Sequence, residues 1–431
     1  MRRFERPNYS DFIEIRVRGA DVIVHFGSDT GRSRRISERG TPEDALAAME
    51  RMIKSYLDSG YVETIYEEQT DPNLDTQVFD KRPFVPNPAL EQQCREAPDD
   101  PHPWAVYADF LMLHGDPRGE IAAAFAAGES AYAVRRAKEV YDVLTNMRTP
   151  PIELGYRHGF AVTAKIPTPR VDEHWNTRDV TTRLLASPIA TLLEQLTIGL
   201  TSYDRTNDWR PALEAIVGCE AGQRLKRLAF DNTDAYLALH RPGRYVIGDW
   251  TGLLDRLPAL ESLEISGDVV TYGKIDLPAL RSFRRIAHEM SPTELTKLAA
   301  TSWPLLESLA ISFGADSGSV TPAAQTIVPL LTGKNLPRVR HLALTLMYGS
   351  AILRAVAASE LLPRLSVLDL GGSALAGEED VQFLEQHAAA FLHLDRLVLT
   401  GHIFDADDIA RVQAALPNAE LAGPHPIHDP D

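Results

Sequence analysis

A short aliphatic phrase returns through the second half of this chain, and no other feature restricts the fold so tightly. It reads Leu257-Pro-Ala-Leu-Glu-Ser-Leu-Glu-Ile265, Pro304-Leu-Leu-Glu-Ser-Leu-Ala-Ile311, Leu336-Pro-Arg-Val-Arg-His-Leu-Ala-Leu344 and Leu362-Pro-Arg-Leu-Ser-Val-Leu-Asp-Leu370. A recurrent L-x-x-L-x-L phrase marks units of one strand and one crossover. Such a unit cannot bury its apolar side alone, so the units must stack. The middle apolar residue falls at Leu196, Leu228, Leu263, Phe283, Leu309, Leu342, Leu368 and Leu397, at intervals of 32, 35, 20, 26, 33, 26 and 29. The expectation is an α/β, multidomain chain with a solenoid over residues 184–422 and a short tail over 423–431. Segments such as Ile352–Val356 and Val381–His387 would supply the crossover helices.

The spacing and the phrase resemble the leucine-rich repeat, which implies a solenoid with a parallel concave sheet. The chain departs from that pattern in two ways. The Asn normally found just after each strand is missing, with Asp268, Ser373 or His402 nearby instead, and Arg285 occupies an apolar position in the Phe283 unit. Leu416–Leu421 reads as a truncated closing unit. In such a strand the residues flanking the buried leucines face the concave surface. This makes Gln195, Thr197, Arg227, Ser262, Glu264, Ser308, His341, Thr345, Asp369, Arg396 and Thr400 the candidate protein-binding face, interspersed with Ala229, Ala310, Ala343, Val367 and Val398. The mix is small and polar, without the clustered aromatic anchors of many interfaces.

At the N-terminus, Phe12–Val17 and Val22–Phe26 alternate apolar and polar residues around Gly19-Ala-Asp21, which reads as a hairpin. Arg32–Ile36 reads as a basic return strand. Thr41-Pro42-Glu43-Asp44 then opens a helix with an apolar stripe at Leu46, Met49, Ile53, Tyr56 and Leu57, closed by Gly60. Residues 1–66 resemble the WGR domain, a small α+β module of poly(ADP-ribose) polymerases and of bacterial proteins akin to the molybdate metabolism regulator. The resemblance rests on Arg3-Phe4, Phe12-Ile-Glu-Ile15, Gly31-Arg32 and Ser59-Gly60-Tyr61; Phe26-Gly27-Ser28 replaces the naming triplet. It implies contact with DNA or a protein neighbour, with Arg32, Arg34 and Arg35 as the candidate nucleic-acid edge. Ser28 removes the cation that the triplet would supply.

Residues 67–87, polar and rich in proline, read as a linker. Trp104, Tyr107, Ala108 and Leu111 then fall at helical spacing, followed by Gly115-Asp-Pro-Arg-Gly-Glu120. The stretch Glu96–Glu120 closely resembles, over some 30 residues and with Phe110 in place of the usual Trp, a short helical companion domain that sits beside leucine-rich repeats in large bacterial paralogue families, and that domain is expected over residues 88–150. The resemblance names a partner fold and no activity. Capping and a local ion pair account for Asp109, Asp116, Arg118 and Glu120. A helix over Glu129–Met147 is expected to turn Tyr132, Val134, Ala137, Tyr141 and Leu144 inward. Residues 151–183 would supply capping strands, Tyr156–Ile166 covering the open end of the stack and His158 serving as a turn or cap residue.

The net charge of −16 opposes a chain that coats nucleic acid along its length. Residues 1–66 balance 11 Lys/Arg against 11 Asp/Glu, so the acidic excess lies wholly in the remainder and any nucleic-acid contact belongs near the N-terminus. Cys94 and Cys219 are too far apart for a metal or disulfide framework and read as reduced thiols. The N-terminus lacks the apolar core of a signal peptide, and no apolar run reaches membrane-spanning length, so a cytoplasmic protein without a membrane partner is expected. Gly333-Lys334 lacks the rest of a phosphate loop. Gly314-Ala-Asp-Ser-Gly318 lacks the G-x-S-x-G spacing of a nucleophile elbow, and no zinc or calcium spacing occurs. No catalytic residue, cofactor, metal or small-molecule substrate is therefore assigned. Three readings remain open: a non-enzymatic interaction scaffold or adaptor docking through the concave face and the WGR-like module; a nucleic-acid-associated accessory factor; and an enzyme whose site is assembled from distant residues.

Overall fold

The computed structural model describes residues 2–5, 12–18, 21–27, 32–37, 41–58, 61–64, 84–141, 152–168, 176–200, 208–231, 247–267, 270–273, 275–287, 290–313, 324–345, 350–372, 375, 377–402 and 404–421. The expectations for Ser28, Gly60, most of the linker, Leu144, Asp268, residues 314–318, Ser373 and the tail lie outside them. Two compact units form, Met1–Arg82 with Pro169–His174 and Pro83–Thr168 with Trp175–Asp431.

In the first unit, β1 (Arg2–Glu5), β2 (Phe12–Arg18), β3 (Asp21–Gly27), β4 (Arg32–Ser37) and β5 (Val62–Thr64) form one antiparallel sheet, with helix α1 (Pro42–Asp58) before β5. The order is β4-β3-β2-β1-β5. The two alternating segments make the expected hairpin, Ile15 opposite Val24, and Ile15 is fully buried. On α1, Ala48 and Ile53 are buried while Met49, Met52 and Tyr56 are half-buried. Leu57, expected inward, is 43% exposed. It lies about 100° around the helix from Tyr56, past the edge of the stripe.

The second unit opens with α2 (Pro88–Glu96), α3 (Pro101–Leu113), α4 (Pro117–Ala126) and α5 (Ser130–Tyr141). The first three start alike. Asn87, Asp100 and Asp116 cap them through side-chain oxygens, and proline follows each cap. Trp104, Tyr107, Ala108 and Leu111 are all buried, against Phe160, Val162 and Leu192. On α5 Ala137 is buried as expected, and so is Ala133; Tyr132 and Val134 are 37% and 48% exposed, contrary to the inward stripe expected. Alanines four residues apart form a shallow face that suits close packing on α4. Tyr132 instead reaches sideways, its hydroxyl donating to Glu120 at 2.7 Å.

Strands β6 (Glu153–Arg157) and β7 (Phe160–Ile166) form an antiparallel hairpin. Its two-residue turn holds His158 at φ 48° and Gly159 at φ 87°, the paired positive angles of the hairpin-favoured turn. Nine further strands extend the sheet in parallel from β7: β8 (Gln195–Ile198), β9 (Arg227–Phe230), β11 (Ser262–Ser266), β13 (Ser282–Ile286), β14 (Ser308–Ser312), β15 (His341–Thr345), β16 (Val367–Asp369), β17 (Arg396–Val398) and β18 (Ala419–Glu420). Sheet order follows chain order throughout. A separate parallel pair, β10 (Gly248–Asp249) and β12 (Val270–Thr271), sits in the crossovers.

The eight middle residues form one unbroken rung, each opposite the next from Leu196 to Leu397, and all are at most 2% exposed. Burying each such side chain contributes roughly 1.5–3 kcal/mol before entropy is counted, so the rung is a major stabilising element. The crossover helices complete the same core from the other side, through residues such as Leu213, Leu295, Leu330, Leu353 and Leu384.

Arg285 is the exception within this core. Its side chain is fully buried and bonds Glu294, at 2.7 Å to Oε1, which also accepts from the Tyr272 hydroxyl at 2.8 Å. The guanidinium donates further to the carbonyls of Ile265, Gly267 and Ile286. A cation with carbonyl partners thus serves the ends of β11 and β13.

Candidate functional site

One face of the eleven-stranded sheet packs on the helices. The residues on the other face are half-buried or exposed almost throughout, and they lie in two cross-strand rows. Along the first, Gln195 is opposite Arg227, Arg227 opposite Ser262, and the row continues through Ser282, Ser308, His341 and Val367 to Arg396. Along the second, Thr197 and Ala229 precede Glu264, Arg284, Ala310, Ala343, Asp369 and Val398. Thr345 lies opposite Ser312 beyond the second row. Thr400 lies in the turn after β17, where its carbonyl accepts from the Gly372 amide at 2.7 Å. Ten of the eleven candidate face residues thus lie on strands of one sheet, with Thr400 at the following turn.

Sequence reading passed over Ser282 and Arg284, which the register places between Ser262/Glu264 and Ser308/Ala310. The signal was available, since both flank Phe283. The buried cation two positions on obscured it. Lys165, opposite Thr197, and Glu420, opposite Val398, extend the second row at its ends.

Charge is concentrated at two places on this face. Glu264 and Arg284 approach to 3.9 Å. Burial raises the Glu264 carboxyl above its ordinary range, opposed by the Arg284 cation and aided by Asp231. Towards the other end Arg396 makes a two-bond fork with Glu420, at 2.7 and 2.8 Å. That hydrogen bonding raises the Arg396 guanidinium and lowers the Glu420 carboxyl. Between these pairs Ser308, Ala310, Ala343 and Thr345 form a neutral floor, with Asp369 at its Arg396 end.

The motif Gly115–Glu120 is consumed by structure. Asp116 caps α4, accepts the Val85 amide and grips Arg118, itself 3% exposed, at 2.7 Å. Arg118 reaches Thr191 and the carbonyls of Val85 and Pro188. A Cβ at Gly119 would lie 2.6 Å from the Ala108 carbonyl, so α3 and α4 cross where only glycine fits. Glu120 bonds Tyr132 and Arg136. Asp109 is exposed. Cys94 is buried, and burial pushes its thiol up to about 11, the opposite of an activated nucleophile. Among the described residues no group of three or more His, Cys, Asp or Glu is placed to hold a metal ion.

In the other unit, Arg32, Arg34 and Arg35 all lie on β4, opposite Phe26, Val24 and Ile23, and β4 is an edge strand of its sheet.

No family model matches the chain, and no curated protein matches it. A crystal structure of a Bacteroides fragilis protein is similar in fold, with a TM-score of 0.51 at 17% identity, covering 98% of this chain and 95% of that one. At that identity the likeness concerns fold alone. Among the described residues no helix is long and apolar enough to cross a membrane.

Proposed function

We propose that this chain is a protein-interaction scaffold built on a leucine-rich-repeat solenoid, docking a protein partner on the open face of its long sheet. The observation that carries this reading is the register: eleven strands in chain order, one side closed by helices and the other left as an ordered, solvent-facing field of small and charged groups. Parallel sheets usually have both faces covered, so an open face of this length invites a partner. The neutral floor between two charged clusters suits a partner segment with small side chains flanked by charges.

The test is affinity capture from the native host with the full chain and with Arg284→Glu, His341→Glu and Arg396→Glu combined. A specific protein held by the wild type and lost by the triple variant is expected. Retention of the same protein by the triple variant would exclude the face, and capture of nothing by either would remove the scaffold reading.

The WGR-like unit is read as a second docking module. Its edge strand favours a nucleic-acid alternative, because Arg32, Arg34 and Arg35 all lie on β4, and cations gathered on one short strand suit contact with a phosphate backbone. Binding of duplex DNA that weakens with salt, and whose log-log salt slope falls by about 0.9 for each contact removed in Arg32→Ala, Arg34→Ala or Arg35→Ala, is the expected result under that alternative.

A further inference from the structure

We propose that β6 is a self-complementary docking edge through which a second copy of this chain pairs antiparallel, joining two eleven-stranded sheets about a two-fold axis. Among the described residues, strand β6 is the terminal strand of its sheet and pairs only with β7. A bulge is one of the devices by which natural sheets blunt such an edge. Here the irregularity falls on the inner strand. Gly155 is opposite Thr163 while Tyr156 is opposite Ala161, so β7 carries the extra residue Val162 and β6 stays regular. The Val162 carbonyl is used inward, accepting the Glu194 amide at 2.8 Å.

The sequence of β6, Glu153-Leu-Gly-Tyr-Arg157, is its own complement when reversed. Antiparallel pairing centred on Gly155 sets Glu153 against Arg157 of the second copy and Leu154 against Tyr156, and a two-fold axis repeats both pairs. Parallel pairing in register would set like charge on like. Charges that guard an edge against other strands therefore admit this one. Arg157 uses one nitrogen on Glu194, at 2.9 Å, and its side chain remains 33% exposed, so donors are left for a second carboxylate.

Apolar surface accompanies the edge. Phe125, Val140, Ile152, Leu154 and Tyr156 pack on the main core but stay only half-buried, with the Phe125 and Tyr156 rings 5.2 Å apart. Oppositely charged strand ends around a half-covered apolar centre form the arrangement of an isologous interface.

Sedimentation of the full chain over a range of concentration tests the pairing. All charge swaps are made on a Glu194→Gln background, so that the internal partner of Arg157 neither aids nor opposes them; thermal unfolding checks each variant. The background protein should dimerise. Glu153→Arg alone and Arg157→Glu alone each set like charges together twice and should weaken the dimer roughly tenfold or more. The double swap should restore it. If a single swap fails to fold, the background and the double swap still decide. A protein that stays monomeric throughout, a dimer indifferent to the single swaps, or a folded double swap that stays monomeric would each overturn the proposal.

Discussion

At the scale of single residues, the buried Arg285 shows what a charge costs inside a repeat core. Removing the cation as Arg285→Ala leaves Glu294, 6% exposed, without its counter-charge, and a loss of about 3–5 kcal/mol is expected in urea unfolding. Replacing both partners, as Arg285→Met with Glu294→Met, should recover much of that, because well-packed apolar groups often match a buried pair. Equal losses in the single and double variants would refute a desolvation origin. His402 carries a pH-dependent counterpart. The ring is 1% exposed, its Nδ1 accepts the Phe404 amide at 3.2 Å, and Nε2 has no acceptor among the described residues. Burial lowers its affinity for a proton in the folded chain. The unfolded chain therefore binds that proton first, and stability falls as pH drops below the ordinary histidine value of about 6.5 towards the lowered folded one. His402→Phe keeps the stack on Phe404 and should flatten this part of the stability–pH curve; an unchanged slope would remove His402 as its source. Legibility at this scale was uneven. The rung residues were readable because each repeats its neighbour's chemistry. Arg285 stood out only as an anomaly, since its partners Glu294 and Tyr272 lie nine and thirteen residues away along the chain, outside its own strand. On α5 Ala137 is buried as expected, but Tyr132 and Val134 were misread and Ala133 missed, because large side chains outweigh alanine in any count of apolar positions.

At the scale of elements, the register of the long sheet has a second determinant besides the leucines. The residue just before each rung strand reads Glu194, Lys226, Glu261, Arg281, Glu307, Arg340, Ser366 and Asp395, and the sign alternates over the first six. These residues are neighbours across the stack. The amides of Lys226 and Arg227 donate to the Glu194 carbonyl, those of Glu261 and Ser262 to Lys226, and those of Arg281 and Ser282 to Glu261. Lys226 and Arg281 close ion pairs with Glu194 and Glu307 at 3.4 and 2.6 Å. Each exposed pair alone is worth about 0–1 kcal/mol, but a row of them makes any exchange of adjacent units set like charges together. Glu307→Lys would line up three cations with Arg281 and Arg340. A loss of about 1 kcal/mol in low salt is expected, shrinking as salt is raised and partly recovered by adding Arg281→Glu. A loss independent of salt would point to packing instead. The elements themselves were legible where a pattern repeats: the N-terminal hairpin, the capped helices, the Tyr156–Ile166 strand pair and the eight rungs. The sign alternation escaped notice because it emerges only when the repeats are set side by side.

At the scale of the whole molecule, the helices before the sheet belong to the same folded body as the repeats. Ile121, Ala124, Ala133 and Ala137 enter the core that runs to Ala419, while Trp104, Tyr107 and Leu111 cover Phe160, Val162 and Leu192. The core beneath the long sheet would stand open at the β7 side without them, and an uncovered apolar end of this kind lowers solubility. Arg118 fastens that cover by spanning from Val85 to Thr191, through a guanidinium that Asp116 neutralises. The last residues before α2 share in it, since the Val85 amide is bound and Asn87 caps the helix. A chain of residues 84–431 should therefore fold alone, with one cooperative melt and a protease-resistant core. A chain of residues 152–431 loses Trp104, Tyr107 and Leu111 from over Phe160 and Val162 and should melt lower or aggregate. Circular dichroism melts and limited proteolysis of the two separate the cases. If residues 152–431 melted as cooperatively as the longer chain, the N-terminal helices would be an appended module rather than part of the core, and Arg118→Ala would then leave the stability of the sheet unchanged.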